Sequence, residues 1–171
     1  MRMFIASDVK ASPEIESQAR SLFNQWNLKF TDLNNLHLTY LFLGDINKKE
    51  SDRISTELEK INSNKIPARI CGITAFPDNI HPRVIAMVLE SPYLYGIYNS
   101  IIHLFPEYKQ NNMKFIPHIT IARTRRGSSK PNISELPMLD GILLIDNICL
   151  FKSNLTQKGP IYERIICNKF Q

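Results

Sequence analysis

Twice along the chain a short apolar run leads into a Ser-Pro dipeptide, then a helical stripe, then a strand containing histidine. This repetition limits the chain to folds made of two similar halves. In the first half, residues 2–7 read as a strand, and Ser12-Pro13 reads as a helix start. A serine oxygen can accept from free backbone amides there, and proline at the first helical position gives up no donor that the helix needs. Ile15, Ala19, Leu22 and Trp26 recur at helical spacing, and a strand follows at about 36–43. In the second half, residues 66–76 and 83–89 read as strands, and Ser91-Pro92 opens a helix carrying Leu94, Ile97, Ile101 and either Leu104 or Phe105. That helix leads into a strand at 118–122. A charged helix over roughly 48–62, with Ile54, Leu58 and Ile61 on its apolar side, separates the halves, and strands at about 142–151 and 161–168 close the chain. Two similar lobes are therefore expected, not a doubly wound parallel sheet. No glycine-rich phosphate loop follows any strand.

Composition narrows the function classes. With 171 residues, 43% of them hydrophobic and 22% charged, the chain has enough apolar side chains for a packed core. The expectation is one domain spanning 1–171, with its two lobes interleaved. No apolar run approaches the roughly 20 residues of a membrane span, and Asp8 interrupts the amino-terminal segment before a secretory apolar region forms. A cytoplasmic protein without a membrane span is therefore expected. A net charge of +5 favours an anionic partner without identifying one. Cys71, Cys149 and Cys167 are widely spaced and odd in number, so they read as buried core residues and not as a disulfide framework or a zinc site.

The chemistry lies in a duplicated tripeptide, His37-Leu38-Thr39 and His118-Ile119-Thr120. From 4 His and 7 Thr, a His-x-Thr arrangement is expected roughly 0.2 times by chance, yet it occurs twice. Strand alternation puts each histidine and its threonine on one face, with Leu38, Tyr40, Ile119 and Ile121 on the other. Two lobes related by an approximate two-fold axis would then offer two imidazoles and two hydroxyls to one cleft. Displacement at phosphorus needs one group to take a proton from the attacking oxygen and another to protonate the departing one, and histidine serves both near neutrality. Threonine hydroxyls can donate to the nonbridging oxygens, where charge builds up in the transition state. No metal is needed in such a scheme.

These residues resemble the 2H phosphoesterases, and within them the bacterial and archaeal RNA 2′,3′-cyclic phosphodiesterases first described as 2′-5′ RNA ligases. The resemblance rests on the block from Asn35 through His37-Leu38-Thr39 to Phe42-Leu43-Gly44, on Phe76-Pro77 with Pro82-Arg83-Val84, and on Pro117-His118-Ile119-Thr120-Ile121-Ala122-Arg123. Ser153, Leu155, Gly159-Pro160 and Tyr162 support it. It implies a bilobal α+β fold, two pseudo-symmetric lobes of antiparallel sheet plus helices around a central cleft lined by His37, Thr39, His118 and Thr120. It also implies opening of 2′,3′-cyclic phosphates at RNA ends, tRNA fragments included, to 2′-phosphates, without metal or nucleotide cofactor. Carried over, His118 is the general base that activates water and His37 the general acid that protonates the leaving 3′ oxygen, with exchange of the two roles left open by the pseudo-symmetry. The alternatives are ATP-independent 2′-5′ ligation, hydrolysis of a small cyclic phosphate, and a noncatalytic module that binds a nucleotide or RNA end. A monomer is expected, because one chain completes the cleft.

Arg123 stands where the family carries an arginine, but strict alternation sends it to the face opposite His118 unless the strand bulges. Arg125 and Arg126 follow in the most positively charged loop and are candidates for holding RNA phosphates, against the plainer reading of a solvated loop. Tyr40 and Phe42 are expected on the side away from His37, in the core. His103 reads as a packed or boundary helix residue and His81 as exposed in a turn, while Ser153 and Tyr162 have no derived role.

Overall fold

A computed structural model of the chain describes residues 1–24, 26–109, 114–125, 127, 131–135, 139–156 and 159–171. The elements run β1 (Arg2–Asp8), α1 (Pro13–Leu22), β2 (Leu28–Phe30), β3 (His37–Asp45), α2 (Lys48–Leu58), β4 (Ile66–Phe76) and β5 (Val84–Glu90). They continue with α3 (Pro92–Leu104), β6 (His118–Thr124), β7 (Ile142–Ile145), β8 (Asn147–Thr156) and β9 (Gly159–Lys169). No helix among the described residues is long and apolar enough to cross a membrane.

The strands form one sheet in the order β7-β4-β5-β6-β3-β1-β8-β9, with β2 added to β6 and every pairing antiparallel. Its halves, β7-β4-β5-β6 and β3-β1-β8-β9, meet at one register pair, Leu38 opposite Ile119. Both side chains are fully buried. The two expected lobes are these half-sheets, and β1-α1-β3 in one corresponds to β5-α3-β6 in the other, with β2 inserted after α1 and α2 following β3. The helices cross over. Ile15 of α1 packs beside Ile70 of β4, and Ala19 lines one small pocket with Met87 and Ile121 of β5 and β6. In exchange, α3 lies on β3, where Tyr98 stacks on Phe115 at 4.2 Å and Phe115 stacks on Tyr40 at 6.0 Å.

The helix starts follow the expected chemistry in part. The Ser12 side chain accepts from the Ile15 amide, whereas Ser91 makes no such bond and α3 relies on Pro92 alone. The charged helix ends at Leu58, earlier than the periodicity suggests. Its last carbonyls turn aside to the Asn168 side chain of β9, which donates to Leu58, Glu59 and Ile61.

Three expectations are corrected. The run 142–151 is two strands, because the chain leaves β4 at Ile145, pairs with β9 from Asn147 and with β1 from Cys149, and has only Asp146 between the two. Strands near opposite ends of the sheet order can be one residue apart only if the sheet curls, and this one does. The short strand β2 carries no periodic signal and was not expected. Cys149 and Cys167 are not separate core residues: register sets them opposite each other on β8 and β9, and they form a disulfide, leaving Cys71 as the free thiol.

Candidate active site

The two histidine strands lie side by side at the centre of the sheet, and His37, Thr39, His118 and Thr120 all line one cleft of about 520 Å³. As alternation requires, Leu38, Tyr40, Ile119 and Ile121 are buried on the other face. The Tyr40 hydroxyl donates to Ser7, whose own hydroxyl donates to the Asn147 carbonyl. Burial pushes the Tyr40 phenol far above its ordinary range, so it stays a neutral donor behind the site.

Each imidazole is fixed in the same way. His37 Nδ1 lies 2.6 Å from the Asn35 carbonyl and His118 Nδ1 lies 2.7 Å from the Ile116 carbonyl. A carbonyl only accepts, so Nδ1 carries the hydrogen in both rings, and Nε2 is the nitrogen left for proton transfer. Aromatic rings hold the planes. Phe4 lies 5.2 Å from His37, Tyr162 meets it edge-on at 4.9 Å, and Phe76 lies 4.8 Å from His118. Tyr162 had no assigned role from sequence, and its position against His37 depends on β9 pairing with β8 at the far end of the half-sheet.

The imidazoles differ in electrostatics. Burial lowers the proton affinity of His37 below the ordinary 6.5, the positive charges of His118 and Arg123 lower it further, and the Asn35 hydrogen bond and Asp8 only partly oppose this. The folded chain therefore refuses a proton that the unfolded chain accepts as pH falls below 6.5. Stability contributed by neutral His37 is present above that pH and is lost on acidification toward the lowered folded value. Urea unfolding at pH 7.5 and 5.5 is expected to show a smaller acid-induced loss in His37→Gln than in the wild type. Equal losses would mean that burial of His37 carries no such cost.

Beyond the threonines, strict alternation fails in both strands at the same place. Ile5 and Ala6 of β1 face Leu41 and Thr39, leaving Tyr40 without a partner, while Ile85 and Ala86 of β5 face Ala122 and Thr120, leaving Ile121 without one. Each extra residue is a bulge three positions after its histidine, and each reverses the faces that follow. Arg123 thereby lines the cleft, which satisfies the condition that the sequence placed on it. Phe42 does too, with 59% of its surface exposed, and its expected core position is corrected: only Tyr40 is in the core. Arg125 is exposed past the end of β6 and is not part of the cleft wall, and Arg126 lies outside the described residues. Ser153 lines the cleft, as do Lys29 and Phe30 of β2, which sequence reasoning missed because three residues carry no periodicity. His81 is exposed in the β4–β5 turn, where it faces Asp78.

A curled antiparallel sheet with crossed helices and paired histidine–threonine strands is the architecture expected of a 2H phosphoesterase. Comparison with known proteins agrees. A family model described as LigT like Phosphoesterase matches residues 9–86. The RNA 2′,3′-cyclic phosphodiesterase of Methanocaldococcus jannaschii is 30% identical over 96% of this chain and 98% of its own, and that of Archaeoglobus fulgidus is 28% identical over 95% and 97%. The chain belongs to the LigT-like phosphoesterase family. Among solved structures, TT0787 of Thermus thermophilus superposes with a TM-score of 0.84 at 22% identity, covering 99% of this chain and 97% of that one. Apo LigT of E. coli superposes with 0.77 at 19% identity, covering 99% and 96%.

Proposed function

We propose that this chain hydrolyses 2′,3′-cyclic phosphates at RNA ends to 2′-phosphates. The observation that carries the proposal is the pair of imidazoles, each anchored through Nδ1 to a backbone carbonyl and each beside a threonine hydroxyl in one cleft. The curated relatives named RNA 2′,3′-cyclic phosphodiesterase support the substrate class. One Nε2 takes a proton from water as its oxygen bonds to phosphorus, and the other Nε2 gives a proton to O3′ as the P–O3′ bond breaks. The product is a 2′-phosphate beside a free 3′ hydroxyl. Thr39 and Thr120 donate to the nonbridging oxygens, whose charge rises in the transition state, and the Arg123 guanidinium adds positive charge at the rim. The scheme draws on one chain, needs no second copy, metal or cofactor, and treats residues 1–171 as one domain because α1 and α3 cross between the half-sheets.

Carried over from the family, His118 is the base and His37 the acid. Burial lowers the proton affinity of His37, which leaves its Nε2 without a proton at rest and makes the protonated ring a stronger acid, so the exchanged division stays the alternative that the experiment must separate. Arg125 and Arg126 belong to the proposal as outer contacts for longer RNA. The test is incubation of a short RNA ending in a 2′,3′-cyclic phosphate with the protein in EDTA, followed by location of the phosphate. A 2′-phosphate product upholds the reading. Tight binding without turnover replaces it with the binding-module reading, and a joined 2′-5′ product in the presence of a 5′-hydroxyl RNA replaces it with ligation.

A further inference from the structure

The two imidazoles share a strand pattern, a carbonyl anchor and a neighbouring threonine, but the residues across the ladder from them differ. Val88 of β5 stands opposite His118, whereas at the equivalent place in the other half-sheet Asp8 of β1 stands opposite His37. Directly opposed residues share a face with their Cβ atoms roughly 5 Å apart. Asp8 and His37 accordingly line one further cavity of about 310 Å³, which adjoins the cleft along His37 and Tyr162. Arg164 of β9 lines it too, and its guanidinium donates to the Asp8 carboxylate. The Asp8 side chain is only 16% exposed. Its backbone is clamped by the buried side chain of Asn147, which accepts from the Asp8 amide and donates to the Asp8 carbonyl.

In either division of roles His37 is an imidazolium at one point of the reaction, before it protonates O3′ or after it takes a proton from water. Burial works against that state and the charges of His118 and Arg123 add to the effect, while the Asn35 carbonyl and Asp8 support it. Burial also keeps the Tyr162 phenol beside it neutral. Among the described residues, the other charged groups lining the cleft are Arg2, Lys29 and Asp32.

We propose that Asp8 is a positioning residue for proton transfer: its carboxylate lets His37 carry a proton inside a buried site, and Arg164 limits how tightly that proton is held. The proposal rests on the cyclic-phosphate reading of the same cleft. A carboxylate alone beside a buried imidazole would trap the proton there. Shared with a guanidinium, it leaves the ring free to pass between its charged and neutral forms. Asp8 acts through His37 and takes no proton itself. With Val88 at the matching position, the pair makes inequivalent two histidines that the fold otherwise treats alike.

The test is an NMR titration of the histidine rings in the intact protein, in the wild type, Asp8→Asn and Arg164→Gln, with the His37 signal assigned by its loss in His37→Gln. The His37 midpoint is expected to fall by about 0.5 pH in Asp8→Asn and to rise by about as much in Arg164→Gln. The limb of kcat/KM against pH that His37 governs, measured on a short RNA ending in a 2′,3′-cyclic phosphate, is expected to move in the same sense in each variant. A general loosening of β1 or β9 would not give opposite signs. A midpoint that stays in place in either variant, or moves the same way in both, overturns the proposal. So does a shifted midpoint that the pH profile of an active enzyme does not follow. If the wild type does not hydrolyse the RNA, the cyclic-phosphate reading itself fails, and the midpoints alone decide whether Asp8 and Arg164 govern His37. If Asp8→Asn does not fold, Arg164→Gln, made at an exposed side chain, carries the test: a rise upholds the proposal and no rise overturns it.

Discussion

Replacement of either His37 or His118 by alanine is expected to lower kcat for cyclic-phosphate RNA by about 10²–10⁴, with the fold intact by circular dichroism. Both rings are held by a carbonyl at Nδ1 and by flanking aromatics, so each loss removes a positioned proton carrier while the carbonyls and rings around it stay in place. The double variant is expected to be little worse than the worse single one, because groups that move protons in one step fail together. A phosphodiester with a nitrophenyl leaving group separates the roles. Its anion departs without a proton, so the variant lacking the acid recovers activity and the variant lacking the base does not. Recovery by His118→Ala assigns His37 as the base. Recovery by His37→Ala assigns the roles as the family resemblance gives them. A single alanine variant with near-normal turnover of RNA would end the two-histidine mechanism.

The second large effect is expected at the seam. Leu38 is fully buried and forms, with Ile119, the one register pair that joins the half-sheets. Leu38→Ala is expected to cost about 2–5 kcal/mol in urea unfolding, the range for deleting a packed leucine side chain. Leu58 is equally buried, but its helix α2 packs on β8 and β9, away from the histidine strands, so Leu58→Ala is expected to cost a similar amount. Activity distinguishes the two. Loosening the seam lets the imidazoles shift relative to each other, and small misplacements cost rate, so kcat falls in Leu38→Ala and holds in Leu58→Ala under conditions where both are folded. Equal kcat values in the two variants would mean that the seam contributes only stability.

The strand alternation around His37 and His118 was legible because it depends on local sequence alone, and so were the two Ser-Pro helix starts. The faces of Phe42 and Arg123 were not. A bulge arises when one strand carries an extra residue relative to its partner, and nothing within 37–45 reports how β1 will be staggered against it. The same holds for the disulfide, since Cys149 and Cys167 become neighbours only through the β8–β9 register. The break at Asp146 was hidden because two strands headed for different partners read as one apolar run. Lys29 was invisible in the sequence for want of length.

The half-sheet that carries His118 is drawn from a single stretch of chain, since β4, β5, β6 and β7 all lie within residues 66–145. The half that carries His37 is stitched from both ends, with β1 waiting for β8 and β8 for β9. The strand of His37 pairs directly with β1, and β1 pairs in turn with β8, so the outer part of its half-sheet is built from residues 147–169. The ring that meets His37 edge-on, Tyr162, comes from β9, whereas the ring beside His118, Phe76, comes from β4 within its own stretch, so one imidazole is steadied by nearby chain and the other by chain more than 100 residues away.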